Sequence, residues 1–161
     1  MEEKVYEMFK ELNIKYEKVE HPPLFTCADS EKYRIKIDAA ECKNLFLRNK
    51  NKNQYYVVSV LQGKKVDLKQ LQEKLQETRL SFGSEEALEE KLKIKSGAVS
   101  LLNVVNMDSK DVRFVIDEDV LKSEKVGFHP NVNTATVLFS PNEISKVLDN
   151  YRVSYQFIEL P

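Results

Sequence analysis

The 161-residue chain has no tryptophan, two cysteines, two histidines and four glycines. Each shortage excludes something. Cys27 and Cys42 lack CxxC spacing, so reduced thiols in the cytoplasm are the expectation. His21, Cys27, Cys42 and His129 match no close-pair zinc pattern, and no metal site is expected. The glycines, Gly63, Gly83, Gly97 and Gly127, build neither a Walker loop, a dinucleotide fingerprint nor a G-x-S-x-G elbow. No cofactor is therefore expected. No apolar run approaches transmembrane length, and Met1-Glu2-Glu3-Lys4 lacks the apolar core of a signal peptide, so no membrane partner is expected. Charge of one sign is not in excess either. A net charge of −1 argues against a large electrostatic footprint on nucleic acid, DNA included, while leaving room for a small local patch.

What is present describes a soluble globular domain. The hydrophobic share is 42% and the charged share 32%. No linker, repeat or low-complexity segment divides the chain, so residues 1–161 read as one domain with a good core. Val5, Met8, Phe9 and Leu12 put a helix at 2–12, and an extended stretch follows at 14–20. His21-Pro22-Pro23 breaks the pattern, a short helix fits 26–34, and 38–41 connects to a strand at 42–48. Asn49 to Asn53 is a hairpin turn, and Gln54 to Leu61 returns as a strand apolar on both faces, as a central strand is. Asp67 caps a helix to about Gln76, Arg79 to Phe82 is a short strand, and Ser84 caps a second helix with Gly97 as terminator. Residues 98–107 carry no decisive periodicity. Strands fit 112–116, 134–139 and 153–160, and Ser140-Pro141-Asn142-Glu143 opens a helix with a capping box. Hairpins mixed with short helices give an α/β class with a mixed, partly antiparallel sheet.

The strand at 42–48 organises the chemistry. Alternation puts Lys43 with Leu45 and Leu47, and Asn44 with Phe46 and Arg48. An ammonium along an apolar face is costly without a partner. Either Lys43 snorkels to solvent from the strand's start, or it lines a pocket whose ligand supplies the partner. Gly97-Ala98-Val99-Ser100 can present backbone N–H groups in an open turn. Gly127-Phe128-His129-Pro130 opens a polar loop in which His129 is either merely hydrogen-bonded or functional.

Taken together, Lys43-Asn44-Leu45-Phe46-Leu47, Arg79-Leu80-Ser81-Phe82, Gly97-Ala98-Val99-Ser100, Gly127-Phe128-His129-Pro130 and Asn133-Thr134-Ala135-Thr136 resemble a known family. His21-Pro22-Pro23 and Val66-Asp67-Leu68 fit the same order. The chain resembles, over nearly its whole length, the YbaK and prolyl-tRNA synthetase editing-domain family, in its freestanding ProX-type branch. Leu101 departs from it, since relatives commonly carry proline there. The resemblance implies a mixed, strongly curved sheet flanked by helices. It also implies hydrolysis of the ester joining alanine to the terminal ribose of tRNA(Pro), with water as nucleophile. On that basis Lys43, Gly97, Ala98 and His129 are the candidate catalytic residues. Asn44, Phe46, Ser100, Gly127 and Asn133 are candidates for substrate binding, and Lys50, Lys52 and Arg79 for RNA. The implied partners are the acceptor end of mischarged tRNA(Pro) and prolyl-tRNA synthetase. A deacylase for cysteinyl-tRNA(Pro) and a non-catalytic module sensing an aminoacyl end or an amino acid stand as alternatives.

Overall fold

Strand β2, Ala40–Arg48, lies at the centre of a mixed eight-stranded sheet and is shared by its two halves. The structure is a computed structural model and describes residues 1–23 and 39–161. The helix expected at 26–34, and Cys27 with it, lies outside the described residues. In sequence order the other elements are α1 (Glu2–Glu11), β1 (Glu17–Glu20), β3 (Tyr55–Leu61), α2 (Leu68–Lys74), β4 (Ser81–Phe82), α3 (Glu85–Leu92), β5 (Val112–Asp117), β6 (Val126–Phe128), β7 (Ala135–Phe139), α4 (Glu143–Asn150) and β8 (Tyr155–Ile158). Short 3-10 turns occupy Ser96–Ala98, Leu101–Asn106 and Glu118–Lys122. No helix among the described residues is long and apolar enough to cross a membrane.

The sheet runs β1-β7-β6-β2-β3-β5-β8, with β4 added beside β2. The start of β2 pairs parallel with β6, Ala40 with Val126 and Glu41 with Gly127. Its end pairs antiparallel with β4, Leu47 with Phe82 and Arg48 with Ser81. Between those partners the same edge, from Cys42 to Leu45, has no strand against it among the described residues. From Cys42 to Arg48 the opposite edge is paired with β3 in a regular antiparallel register, Cys42–Leu61 to Arg48–Tyr55.

Alternation sorts the side chains of β2 into two cores. Phe46 and Cys42 face the larger core, which buries Val5, Met8 and Phe9 of α1, Ile144, Val147 and Leu148 of α4, and Leu101 and Leu102. Leu45 and Leu47 face a smaller core with Tyr56, Val58, Val60, Leu80 and Leu71 of α2. β3 is apolar on both faces because it serves both cores.

Local chemistry sets the element ends, with three departures from expectation. The Asp67 side chain accepts from the N–H of Lys69 and Gln70, and Ser84 accepts from Ala87 N–H, as expected of caps. α3, however, ends at Leu92, where Lys93 takes a left-handed φ of 55°; Gly97 is not its terminator. Gly97 instead lies in a 3-10 turn four residues further on. Pro141 and Asn142 form a turn before α4, so Ser140 accepts from Asn142 N–H at 3.3 Å and does not cap the helix. Finally, Gly127-Phe128 is strand rather than loop. A β-carbon on Gly127 would sit 3.0 Å from the Thr136 methyl and 3.2 Å from a Leu138 methyl, so the strands close tightly over this glycine.

Lys64 anchors the end of the chain. Its ammonium donates to Asp117, to Asp119 at 2.6 Å and to Leu160 O at 3.0 Å. Asp117 is fully buried. Lys64→Met should therefore leave a buried carboxylate without its counter-charge and cost about 3–5 kcal/mol of stability. Denaturant unfolding checks it; a loss below about 1 kcal/mol, the value of a surface pair, would contradict the role.

Candidate active site

The open edge of β2 gathers groups from one face of the sheet. Lys43 sits there, on the side of Leu45 and Leu47. Its ammonium makes no ion pair or hydrogen bond among the described residues. Glu41, two residues earlier, shares that face and pairs with Gly127. Thr136 lies between Ala135 and core-facing Val137, so it too points away from the larger core. Its hydroxyl meets His21 Nε2 at 2.8 Å, and the His21 ring lies 5.9 Å from that of His129.

Hydrogen bonds assign the imidazole protons. His129 Nδ1 faces the carbonyl of Ala135 at 2.9 Å, so it carries the proton and donates. Nε2 is then left with a lone pair directed away from that bond. Burial pushes the His129 pKa below the usual imidazole value, and the neighbouring His21 pushes the same way while the Ala135 bond opposes them. A neutral ring at neutral pH follows. His21 Nδ1 donates to Pro22 O at 2.9 Å, so its Nε2 accepts from Thr136. Burial raises the Glu41 carboxyl above its usual range, with His21 opposing.

The Gly97 turn approaches from the larger core. Ala98 N–H donates to Lys95 O at 3.0 Å, so of the two candidate amides Ala98 is already engaged. Ser100 is completely buried; its hydroxyl accepts from Leu102 N–H, and its own N–H donates to Asn103 Oδ1 at 2.6 Å. Asn44 Oδ1 accepts from Ser59 Oγ at 2.6 Å and Leu101 N–H at 3.1 Å, which ties this turn to β2 and β3. Phe46 lies in the larger core, stacked on Tyr55 at 5.4 Å.

Three buried asparagines join the Gly97 and His129 segments. Asn131 Oδ1 accepts from Asn103 Nδ2 at 2.9 Å and Asn106 Nδ2 at 2.8 Å. Asn131 Nδ2 donates to Met1 O at 3.0 Å and to Asn106 Oδ1 at 3.1 Å. Asn103 also holds Ala98 O, and Asn106 holds Leu92 O. Beside this cluster a cavity of about 740 Å³ is lined by Lys95, Gly97, Ala98, Asn131, Asn133 and Thr134, among others.

The expected residues therefore fall into groups. Lys43, Gly127 and His129 belong to the face beside the open edge, whereas Gly97, Ala98 and Asn133 line the cavity beside the asparagine cluster, which none of those three lines. Asn44, Phe46 and Ser100 lie beneath these groups, held by internal bonds and packing. Lys50, Lys52 and Arg79 are exposed at the far end of β2, where Lys50 N–H donates to Thr78 Oγ1 at 3.1 Å. Glu41 and Asn131 escaped sequence reasoning. The i, i+2 spacing of Glu41 with Lys43 was the available signal for one; Asn131, whose partners lie 25 and 28 residues away, offered none.

A family model described as an aminoacyl-tRNA editing domain matches residues 21–147. The chain is 39% identical over 150 residues to the prolyl-tRNA editing protein ProX of Acetoanaerobium sticklandii, covering 93% of this chain and 92% of that one. It is 38% identical to prolyl-tRNA synthetase associated domain-containing protein 1 of Mus musculus, covering 82% and 80%. A solved structure described as a candidate trans-editing enzyme for prolyl-tRNA synthetase superposes with a TM-score of 0.71 over 99% of this chain and 97% of that one. At 15% identity it shows the shared fold alone.

Two outcomes follow from this geometry. Asn131→Ala removes four hydrogen bonds and leaves the amides of Asn103 and Asn106 short of an acceptor, so stability should fall by about 2–4 kcal/mol, read from denaturant midpoints. The depressed pKa of His129 means that the unfolded chain takes up this proton at about 6.5 and the folded chain only at lower pH. Its contribution to stability is thus complete above about 6.5 and is lost as pH falls through the folded value. An NMR titration of the His129 ring should give a midpoint below 6.5; a midpoint at or above that would refute the assigned environment.

Proposed function

Because the chain belongs to the aminoacyl-tRNA editing-domain family, we propose that it is a trans-editing hydrolase that removes alanine from mischarged tRNA(Pro). The observation that carries this reading is Lys43, an ammonium without a partner among the described residues, on the same sheet face as a half-buried, neutral His129. Among the described residues, the groups gathered here act by position rather than as a nucleophile. Cys42 faces the larger core, away from Lys43, and burial pushes its thiol up to about 12. Water is therefore the nucleophile. It adds to the ester carbonyl carbon, the bond to the ribose oxygen breaks, and the proton given up by water ends on that leaving oxygen.

Lys43 holds a phosphate or the reacting carbonyl as a compact charge. The Gly97 N–H is the donor for the developing oxyanion, since Ala98 already bonds Lys95. His129 Nε2, an acceptor, orients the attacking water or a ribose hydroxyl. Asn133 and the cavity beside Gly97 shape the amino-acid side of the site. Asn44, Phe46 and Ser100 hold β2 and the Gly97 turn in place beneath the substrate, and Gly127 lets the strand carrying His129 close on β7. No metal or cofactor enters this scheme. The protein works as one domain over residues 1–161, in the cytoplasm, on the acceptor end of tRNA(Pro) and alongside prolyl-tRNA synthetase.

The need for such an enzyme is physical. A pocket shaped for proline cannot reject the smaller alanine by more than about 1–3 kcal/mol. A second site that admits alanine and excludes proline corrects the error. Alanine should accordingly leave tRNA(Pro) much faster than proline, in a panel that also includes cysteine and serine. Comparable rates for alanine and proline sink the sieve; faster release of cysteine reassigns the substrate. In single-turnover assays Lys43→Ala should nearly abolish hydrolysis and Lys43→Arg restore little, because the planar guanidinium is too broad for the place of an ammonium. Both variants should melt like the wild type. A Lys43→Ala enzyme at wild-type rate would reduce Lys43 to a solvated strand-end lysine.

A further inference from the structure

Phe82 is 61% exposed, the most exposed large hydrophobic side chain among the described residues. Nothing about its backbone is loose. Gly83 N–H donates to Phe46 O at 2.9 Å, and a β-carbon on Gly83 would fall 2.3 Å from the Phe46 ring. β4 is thus pressed onto Phe46, which itself stacks on Tyr55. The strand is clamped while the Phe82 ring stands in water.

Its position connects it to the candidate active site. Phe82 pairs with Leu47, so its ring projects on the face that carries Leu45 and Lys43. Leu47 is four residues beyond Lys43, about 13 Å along the strand at ~3.3 Å per residue. That is a span of about four stacked nucleotides at ~3.4 Å each. Cations surround the same corner. The Lys50–Thr78 hydrogen bond brings the hairpin tip, with Lys50 and Lys52, against the turn that carries Arg79. None of these three makes an ion pair among the described residues. Glu77, the carboxylate between them, is occupied by Tyr56 OH at 2.6 Å, Asn49 Nδ2 at 3.2 Å and Thr78 N–H at 2.9 Å.

An exposed ring on a rigid mount, flanked by free cations, has the composition of a single-stranded nucleic-acid platform: aromatics stack the bases and cations follow the phosphates. We propose that Phe82 stacks a nucleobase in the single-stranded 3′ end of the RNA substrate, with Arg79, Lys50 and Lys52 on the adjoining phosphates. The reading rests on the function proposed above. It adds a base-binding position, set apart from the ester by about four residues of β2, that makes affinity depend on the RNA and not on the amino acid.

The absence of tryptophan provides the test. Phe82→Trp introduces the chain's only tryptophan, at the proposed stacking position. Titration with a short single-stranded RNA ending in CCA should quench its fluorescence, while inorganic phosphate should not. On alanyl-tRNA(Pro), Phe82→Ala should raise KM roughly 5- to 100-fold with little change in kcat. Phe82→Trp should keep KM near that of wild type, and the melting temperatures should be unchanged. Absence of quenching, or an unaltered KM for Phe82→Ala, overturns the proposal. So does a Phe82→Ala variant that deacylates normally but binds prolyl-tRNA synthetase less well, which would make the ring a protein contact. If the wild type hydrolyses none of the charged tRNAs while the RNA still quenches, the deacylase reading fails and the base platform stands.

Discussion

Asn131 accepts hydrogen bonds from two other buried asparagines, and the relation between the Gly97 and His129 segments rests on that junction. Amides are expensive to bury unless every donor and acceptor is met. Here they are: no buried side-chain nitrogen or oxygen among the described residues lacks a partner. The junction also has a backbone requirement. Asn131 adopts a φ of 65°, a left-handed conformation that asparagine tolerates better than most residues. One residue therefore turns the chain after Pro130, binds the Leu101–Asn106 turn, and holds the carbonyl of Met1. An apolar cluster of equal volume would bury as well but would not set register, because hydrogen bonds have direction and packing contacts do not.

The second constraint is the shared strand. β2 gives its start to β6 and its end to β4, and the middle of that edge has no strand against it among the described residues. An unpaired edge invites pairing with another chain unless charge or coverage prevents it. Lys43 places a charge on this stretch, so the residue read as catalytic also protects the edge. Asn44 faces the opposite way and spends its carbonyl oxygen on Ser59 and Leu101. Adjacent residues of one strand thus divide the work: one side chain has no partner among the described residues, and the next secures the turn that follows Gly97.

The periodic parts of the fold were legible in the sequence. Alternation in β2 placed Lys43, Leu45 and Leu47 together, and the structure keeps that register. The doubly apolar β3 is central, and the Asp67 and Ser84 caps start their helices. What escaped depends on tertiary context. A lysine supplied the left-handed end of α3, where glycine was the natural expectation. β6 has three residues, too few for a period, and exists because Gly127 lets β7 and β2 close around it. The asparagine junction is invisible locally, since polar residues at 103, 106 and 131 read as surface until the fold joins them. The family resemblance pointed to these segments as candidates but not to the division between groups beside the open edge and the supports beneath them.

Leu101 shows how a departure from a family pattern can be accommodated. A proline at this position would have no N–H. Leucine has one, and the structure uses it: Leu101 N–H donates to Asn44 Oδ1 at 3.1 Å. Asn44 Oδ1 has a second donor in Ser59, so it stays bonded in either case. The turn loses the rigidity of a proline ring but gains a tether to β2 one residue from Lys43. Ser100 before it caps Leu102 and bonds Asn103, which holds the start of the turn without a proline. The turn beside β2 is thus held by hydrogen bonds rather than by a proline ring. This suits hydrolysis of an ester already prone to attack, where the protein's main contribution is to hold carbonyl, water and donors in register.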